Sequence, residues 1–473
     1  MFHGRLHFFW HLSVQRSVRA GIDGRQLTPG NSPTSWPTGR SPAGRSRWER
    51  RRGTESSEVR STAAVNDLAL GREGAPHLAS GSTTMQGRFF VVTCFGLVFL
   101  NFLTFLYHFT GSTIFNVLSN STSLLLILWS ARHVLITNER SYFYTLLLVL
   151  ACIFTGASYL ANFGAFELSD GLKLVSIYSF YVAGRGMAEP MHPAEKRCVY
   201  LLAAMPLLFK AIGQTQVYIG VEYPDVFSYF PNTNTAALYF SALFFVLSPW
   251  FGNRVLIGQF INAAVMNRVG PALATIISIG LWSFFPLRPQ VFVVIILLAC
   301  ASVVAHAVGA LDRLITGLNA IALIWDLDPG TVARMTTKQL IELTGSTDVS
   351  AFFRITHWTN IWQIYSSRGL GGILFGYGAM QTGILTVLPL PPHNDYLRVL
   401  AEYGLLNFLV FVVFVFSIVF SLKDRAAKTM YTVLLIYFLS ENLIDNFTSM
   451  TLFFSYAGRF TSPKWPARDP SSA

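Results

Sequence analysis

The chain has 473 residues, 52% of them hydrophobic and only 12% charged, with 40 Phe and a formal net charge of +11. Such a balance excludes an ordinary soluble globular domain, in which charged residues are about a quarter of the whole. Its four cysteines, Cys94, Cys152, Cys198 and Cys300, sit inside or beside apolar runs with no CxxC or metal spacing. They read as small core residues, and neither a disulfide nor a metal site follows from them.

Residues 1–84 hold twelve Arg, no Lys and six Asp or Glu, so +6 of the formal +11 lies in a stretch without sustained periodicity. Arg without Lys, among many Gly, Ser and Pro, reads as translated upstream sequence, with Met85 before an apolar run as the natural start. The other reading is a disordered basic arm for anionic lipid or nucleic acid. No cleaved signal peptide is recognisable.

From Phe89 onward the chain repeats apolar runs of spanning length. The expected spans are 89–108, 112–130, 142–160, 172–187, 198–212, 235–250, 254–266, 270–286, 290–308, 394–422 and 430–456. The fold class is therefore all-α, a polytopic membrane helical bundle of about 10–12 transmembrane helices. With Arg88 in the cytoplasm, Arg132, Arg140, Arg185, Lys196, Arg197, Arg254, Arg288 and the Lys423–Lys428 cluster also fall inside, as the positive-inside rule requires. Glu167, Asp170, Glu222 and Asp225 fall outside. Residues 85–308 and 393–460 then form the membrane part, 309–392 one large extracytoplasmic loop, and 461–473 a tail. Glu441 and Asp445 interrupt the last span, which is one long helix or two short ones.

Arg268, in Met266-Asn267-Arg268-Val269-Gly270-Pro271, falls at the outer end of a short span with no acid beside it in sequence. It either snorkels to the headgroups or faces a polar cavity as a ligand for a phosphate oxygen. In the outer loop, 331–343 and 349–367 read as amphipathic helices lying along the membrane surface. Phe352, Phe353, Ile355, Trp358, Ile361 and Trp362 make an apolar side of the second. Arg354, His357, Asn360 and Gln363 make its polar side. Arg354 is a further candidate phosphate ligand and His357 a candidate base, although charged residues on the wet face of a surface helix need no function. Asp326-Leu327-Asp328, followed by Pro329-Gly330, reads as a turn rather than a metal pair. The glycines from Gly369 to Gly378 can let backbone approach a ligand closely.

Pro391-Pro392-His393-Asn394-Asp395-Tyr396-Leu397 stands at the mouth of the longest apolar run. The prolines stop what precedes them, and Asn394 or Asp395 can cap the helix that follows. His393 is then a titratable imidazole at a membrane boundary, either a general base beside helix N–H groups or an interfacial residue that snorkels. Arg398 and Glu402, four apart, share a helix face and read as a structural pair.

His393-Asn394-Asp395-Tyr396-Leu397-Arg398-Val399-Leu400-Ala401-Glu402-Tyr403-Gly404 resembles the H-N-x-Y-L-x-x-L-x-E-x-G signature of the O-antigen ligase and polymerase family. Phe353-Arg354 with Trp358, and then Gly376-Tyr377-Gly378, are similar to that family's R-x-x-x-W helix and glycine turn. Asn267-Arg268-Val269-Gly270 resembles its S-R-G element, with Asn for Ser and an added Val. Phe230-Pro231-Asn232-Thr233-Asn234 resembles its P-N element. The likeness covers about 230–404.

That resemblance implies an inverting, metal-independent transfer of a glycan from a polyprenyl diphosphate carrier to a sugar hydroxyl. The reaction would run on the periplasmic face of a bacterial inner membrane. It implies His393 as the catalytic base, Arg268, Arg354 and Asn394 as substrate-binding residues, and no cofactor. The partners would be a polyprenyl-diphosphate-linked oligosaccharide, an acceptor glycan and the lipid bilayer, with no nucleic acid. An acceptor of lipid A–core makes a ligase, and a carrier-linked chain a polymerase, toward which the expectation leans. The alternative is a flippase or transporter of lipid-linked oligosaccharide, in which the same cations bind a passing anionic lipid without reaction.

Overall fold

The computed structural model describes residues 88–136, 141–211, 216–218, 221–223, 230, 233–266, 269–283, 329–345, 350–387 and 391–465. The basic segment 1–84, Arg268, the Asp326–Asp328 pair, Cys300 and the expected span 290–308 lie outside the described residues.

The membrane-type run gives α1 (Arg88–Thr110), α2 (Thr113–Ile136), α3 (Tyr142–Ala161), α4 (Leu168–Gly186) and α5 (Pro193–Ala211). A two-stranded antiparallel ribbon follows, β1 (Gln216–Tyr218) with β2 (Val221–Tyr223), Val217 opposite Glu222. Next come α6 (Thr233–Phe251), α7 (Arg254–Val265) and α8 (Val269–Ser283). Among the described residues of the loop region are the short or middling helices α9 (Pro329–Arg334), α10 (Thr337–Thr344), α11 (Ser350–Ser366), α12 (Leu370–Phe375) and α13 (Thr382–Leu385). The chain closes with α14 (Asp395–Ser421), α15 (Arg425–Tyr437) and α16 (Phe447–Thr461).

Among the described residues, five helices are long and apolar enough to cross a membrane, namely α1, α2, α3, α6 and α14. On α1 and α2, Phe95, Phe99, Phe102, Leu125 and Leu128 are exposed, apolar surface that water would penalise and lipid would not. Cys152 of α3 is likewise exposed rather than in the core, whereas Cys94 is buried as expected. The expected span 430–456 is two helices, α15 and α16, because residues 438–446 between them are not helical. Asn446 caps α16 by accepting from Ser449 N, and Asp424 caps α15 by accepting from Ala427 N. Each such cap contributes about 1 kcal/mol to its helix.

α4 and α16 form the centre of the bundle, with almost every side chain of both buried. They cross where Gly184 meets the backbone at Ser455 and Gly458 meets the backbone at Tyr181 and Arg185. A Cβ on Gly458 would stand 2.7 Å from Arg185 N. Only glycine allows two helices to lie that close, and the close approach adds dispersion contacts along both.

The loop helices are held by caps and by packing against their neighbours. α10 starts in a capping box, Thr336 with Gln339, and stops at Gly345 in the left-handed region. α11 packs on two sides. Phe353 and Ile355 lie against Val332 and Leu340, while Ile361 and Tyr365 join a cluster with Tyr377 and Ala401. His357, expected on the wet side, is buried. Among the described side chains of this helix, Trp362 keeps a large apolar surface exposed.

Candidate functional site

Pro391 and Pro392 deliver the chain to His393, whose backbone is left-handed at φ 49°. Trp358 Nε1 donates to Pro392 O at 2.5 Å, which ties α11 to this entry. Asn394 then caps α14, its Oδ1 accepting from Leu397 N at 3.0 Å. Of the two capping residues the sequence offers, Asn394 is the one used.

The side chains converge on Glu441, in the 438–446 loop. His393 Nδ1 lies 3.3 Å from Glu441 Oε2. Arg354 Nη2 donates to Glu441 Oε1 at 2.9 Å, and Asn234 Nδ2, from the first turn of α6, donates to the same oxygen at 2.6 Å. Glu441 is largely buried, while the His393 and Arg354 side chains are 38% and 32% exposed. A ligand could therefore reach the imidazole and the guanidinium but not the carboxylate behind them. An ionised carboxylate only accepts, so the pairing selects the imidazole tautomer with its proton on Nδ1 and leaves Nε2 with a lone pair.

Sequence reasoning singled out His393 and Arg354 but not Glu441, the carboxylate they meet, nor Asn234, which donates to the same carboxylate. An acid inside an apolar run is costly, and that cost was the available signal for Glu441. Arg268 lies outside the described residues. The helix that follows it, α8, begins beside the same loop, where a Cβ on Gly270 would be 3.7 Å from the Tyr437 ring and 4.0 Å from Ser440 Oγ.

Directly along α14, a second polar cluster surrounds Arg398. Its Nε pairs with Glu402 Oε2 at 3.0 Å, Nη1 with Asp445 Oδ2 at 2.7 Å, and Nη2 with Asp170 Oδ2 at 2.9 Å. Lys173 completes it, 2.5 Å from Asp170 and 3.9 Å from Asp445. Thr382 donates to Glu402. The expected Arg398–Glu402 pair is thus one arm of a network joining α4, α14 and the 438–446 loop. Burial raises Asp445, but Arg398 and Lys173 outweigh it and hold the carboxyl below its ordinary range. Nearby Glu167, between α3 and α4, is pushed up by burial and by Asp170. Among the described residues no group of three or more His, Cys, Asp or Glu is set to hold a metal ion. The carboxylates that gather here do so on a guanidinium.

The helix α14 breaks at Gly404, which sits at φ 84° and ψ 173°. The glycine turn after α12 docks into that break. Tyr377 N donates to Ala401 O and Gly378 N to Glu402 O, each at 3.0 Å. These bonds occupy carbonyls that a continuous helix would have used itself. Ser158 Oγ on α3 donates to Phe375 O at 2.7 Å and secures the far side of the turn. The two glycine elements singled out in the sequence are therefore two halves of one joint, which orients the first turns of α14.

At the other end of the bundle, Arg459 in the last turn of α16 is buried against Glu195, with its Nη2 3.1 Å from Oε2. Its guanidinium lies 3.5 Å from the Phe90 ring centroid. This cluster bolts α1, α5 and α16 together and shares no residue with the Glu441 site. Compared with protein-family models and with curated proteins, the chain matches none.

Proposed function

We propose that the chain is a membrane glycosyltransferase-like enzyme. It would move a glycan from a polyprenyl diphosphate carrier to a sugar hydroxyl, in polysaccharide polymerisation or O-antigen ligation. One observation carries the reading. His393, Arg354 and Asn234, drawn from three separated sequence elements, meet on the single carboxylate of Glu441. A general base oriented by a carboxylate, beside a partly exposed guanidinium, is what displacement of a diphosphate by a hydroxyl requires.

In the proposed step, His393 Nε2 takes the acceptor hydroxyl proton as that oxygen bonds to the anomeric carbon. The bond from that carbon to the diphosphate oxygen breaks, and its electron pair leaves with the diphosphate. One displacement inverts the centre. Glu441 holds the imidazole on Nδ1 and offsets the charge it gains. Arg354 has donors beyond the one given to Glu441, and these stabilise the leaving diphosphate. Arg268, immediately before α8, is proposed as a second cation for it. Asn394 is proposed to bind substrate through its amide N–H, since its oxygen is committed to the cap. The protein would lie in a bacterial inner membrane as a multi-pass helical bundle, with 309–392 and the His393 site on the periplasmic side.

The test is transfer in vitro. The purified full-length protein receives a polyprenyl-diphosphate oligosaccharide, with lipid A–core or with more of the same donor as acceptor. Product that requires His393 supports the enzyme, and the acceptor that works separates ligase from polymerase. Tight donor binding without product from either acceptor overturns the reading in favour of a lipid-linked oligosaccharide transporter.

A further inference from the structure

The 438–446 loop has little of its own to fix it. Its local backbone bonds lie toward its two ends, such as Ser440 N to Tyr437 O and Asn446 N to Leu443 O. Yet the site depends on where this loop puts Glu441. Arg398 takes the Asp445 side chain at the far end of the loop, and the residue that holds the loop backbone on both sides of Glu441 is Asp395, fully buried at 0% exposure. Asp395 Oδ2 accepts from Leu443 N at 2.6 Å and from Ile444 N at 3.2 Å. On the other side of Glu441, Asp395 N donates to Phe438 O at 2.9 Å. Because Asn394 supplies the α14 cap, the Asp395 side chain is not needed there. The segment 393–395 thus grips the loop at three places: the Glu441 side chain through His393, and the backbone on both sides of it through Asp395.

We propose that Asp395 is a positioning residue for the transfer, setting Glu441 against His393 by holding the 438–446 backbone; this rests on the glycan-transfer reading. The geometry also says what Asp395 must supply. Both loop N–H groups go to Oδ2, and Oδ1 has no hydrogen-bond partner. An acceptor oxygen in that place is therefore sufficient, and the negative charge is not the requirement. Asparagine can keep the two bonds with its amide oxygen and put its NH2 where Oδ1 stands. Alanine cannot.

The experiment combines a double-mutant cycle with a readout that needs no turnover. Asp395→Ala is expected to lower kcat by about 10- to 100-fold, the scale of a misplacement near 1 Å, with little change in donor KM. Asp395→Asn is expected to stay within about threefold of wild type, since it keeps both backbone bonds. In a Glu441→Gln background, Asp395→Ala should cost less than about twofold more, because residues acting through one another are not additive. In 15N-histidine-labelled protein, the His393 Nδ1 signal, assigned by its loss in His393→Gln, should move in Asp395→Ala as it does in Glu441→Gln. It should stay in place in Asp395→Asn. Full additivity, or an Asp395→Asn enzyme as slow as His393→Ala, overturns the proposal. If Asp395→Ala does not fold, the asparagine variant decides alone, in rate and in the nitrogen signal. Were wild type to transfer nothing, the glycan reading would fail, while the nitrogen signal would still decide whether Asp395 sets Glu441 against His393.

Discussion

Gly404→Ala tests the joint between α12 and α14 most directly. Gly404 has φ 84° and ψ 173°, a region open to almost no residue but glycine. A Cβ there would stand 2.5 Å from Leu374 C and from Phe375 N, and closer still to Leu374 O. Those are backbone atoms, so no rotamer change relieves the clash. The backbone conformation alone costs about 1–3 kcal/mol for a residue with a side chain. Pushing α12 away also removes the bonds from Tyr377 N and Gly378 N, about 1 kcal/mol each. The expected loss is about 3–5 kcal/mol. Detergent-solubilised protein would be melted at one fixed scan rate, because such unfolding is seldom reversible. The apparent midpoint should fall by at least about 5 °C. Gly371→Ala, in α12 but with nothing within 4 Å of the added carbon, is the control and should move less than about 2 °C. If Gly404→Ala melts with the control and keeps full activity, the docking does not hold the break, and the reasoning fails.

Glu441→Gln should slow transfer on the order of 10²-fold while donor affinity holds or rises, since Arg354 loses its internal anion; an unchanged kcat would remove Glu441 from the chemistry. Arg354→Ala should weaken donor binding by about 10- to 100-fold, the scale of one charge-assisted contact, measured as direct binding of the lipid diphosphate. Arg398→Met leaves Asp170, Glu402 and Asp445 without their shared cation and should cost about 3–5 kcal/mol, seen as lost yield of folded protein. Normal expression and melting of that variant would contradict the network. Asp445, held low by Arg398 and Lys173, stabilises the fold above the ordinary carboxylate range, and that contribution is lost as pH falls through its depressed pKa. Thermal midpoints should therefore drop on acidification more steeply in wild type than in Asp445→Asn, and parallel curves would count against it.

What could be read in the sequence was what depends on neighbours along the chain. The apolar runs of α1, α2, α3, α6 and α14, the Asn394 cap and the four-residue spacing of Arg398 and Glu402 are all local patterns. Glu441 was not legible as a hub because its partners lie 48, 87 and 207 residues away, and distance in sequence carries no sign of contact. It registered only as an interruption, although a charge within an apolar run is itself a reason to look for a partner. The break at Gly404 was hidden for a related reason. A lone glycine in a long apolar stretch still permits a helix, and only the arrival of the 376–378 turn makes it compulsory. The apolar half of α11 was visible, but not that neighbours would cover both its sides.

The left-handed backbone at His393 bears on what this position would become if folding alone were selected. A residue with a Cβ at φ 49° gives up roughly 1–2 kcal/mol that glycine would not. His393→Gly should therefore be more heat-resistant than His393→Ala, and even than wild type if the imidazole adds little to folding. Stability-driven redesign of this protein would discard the histidine first, so chains selected for robustness alone should drift toward inert, sturdier forms.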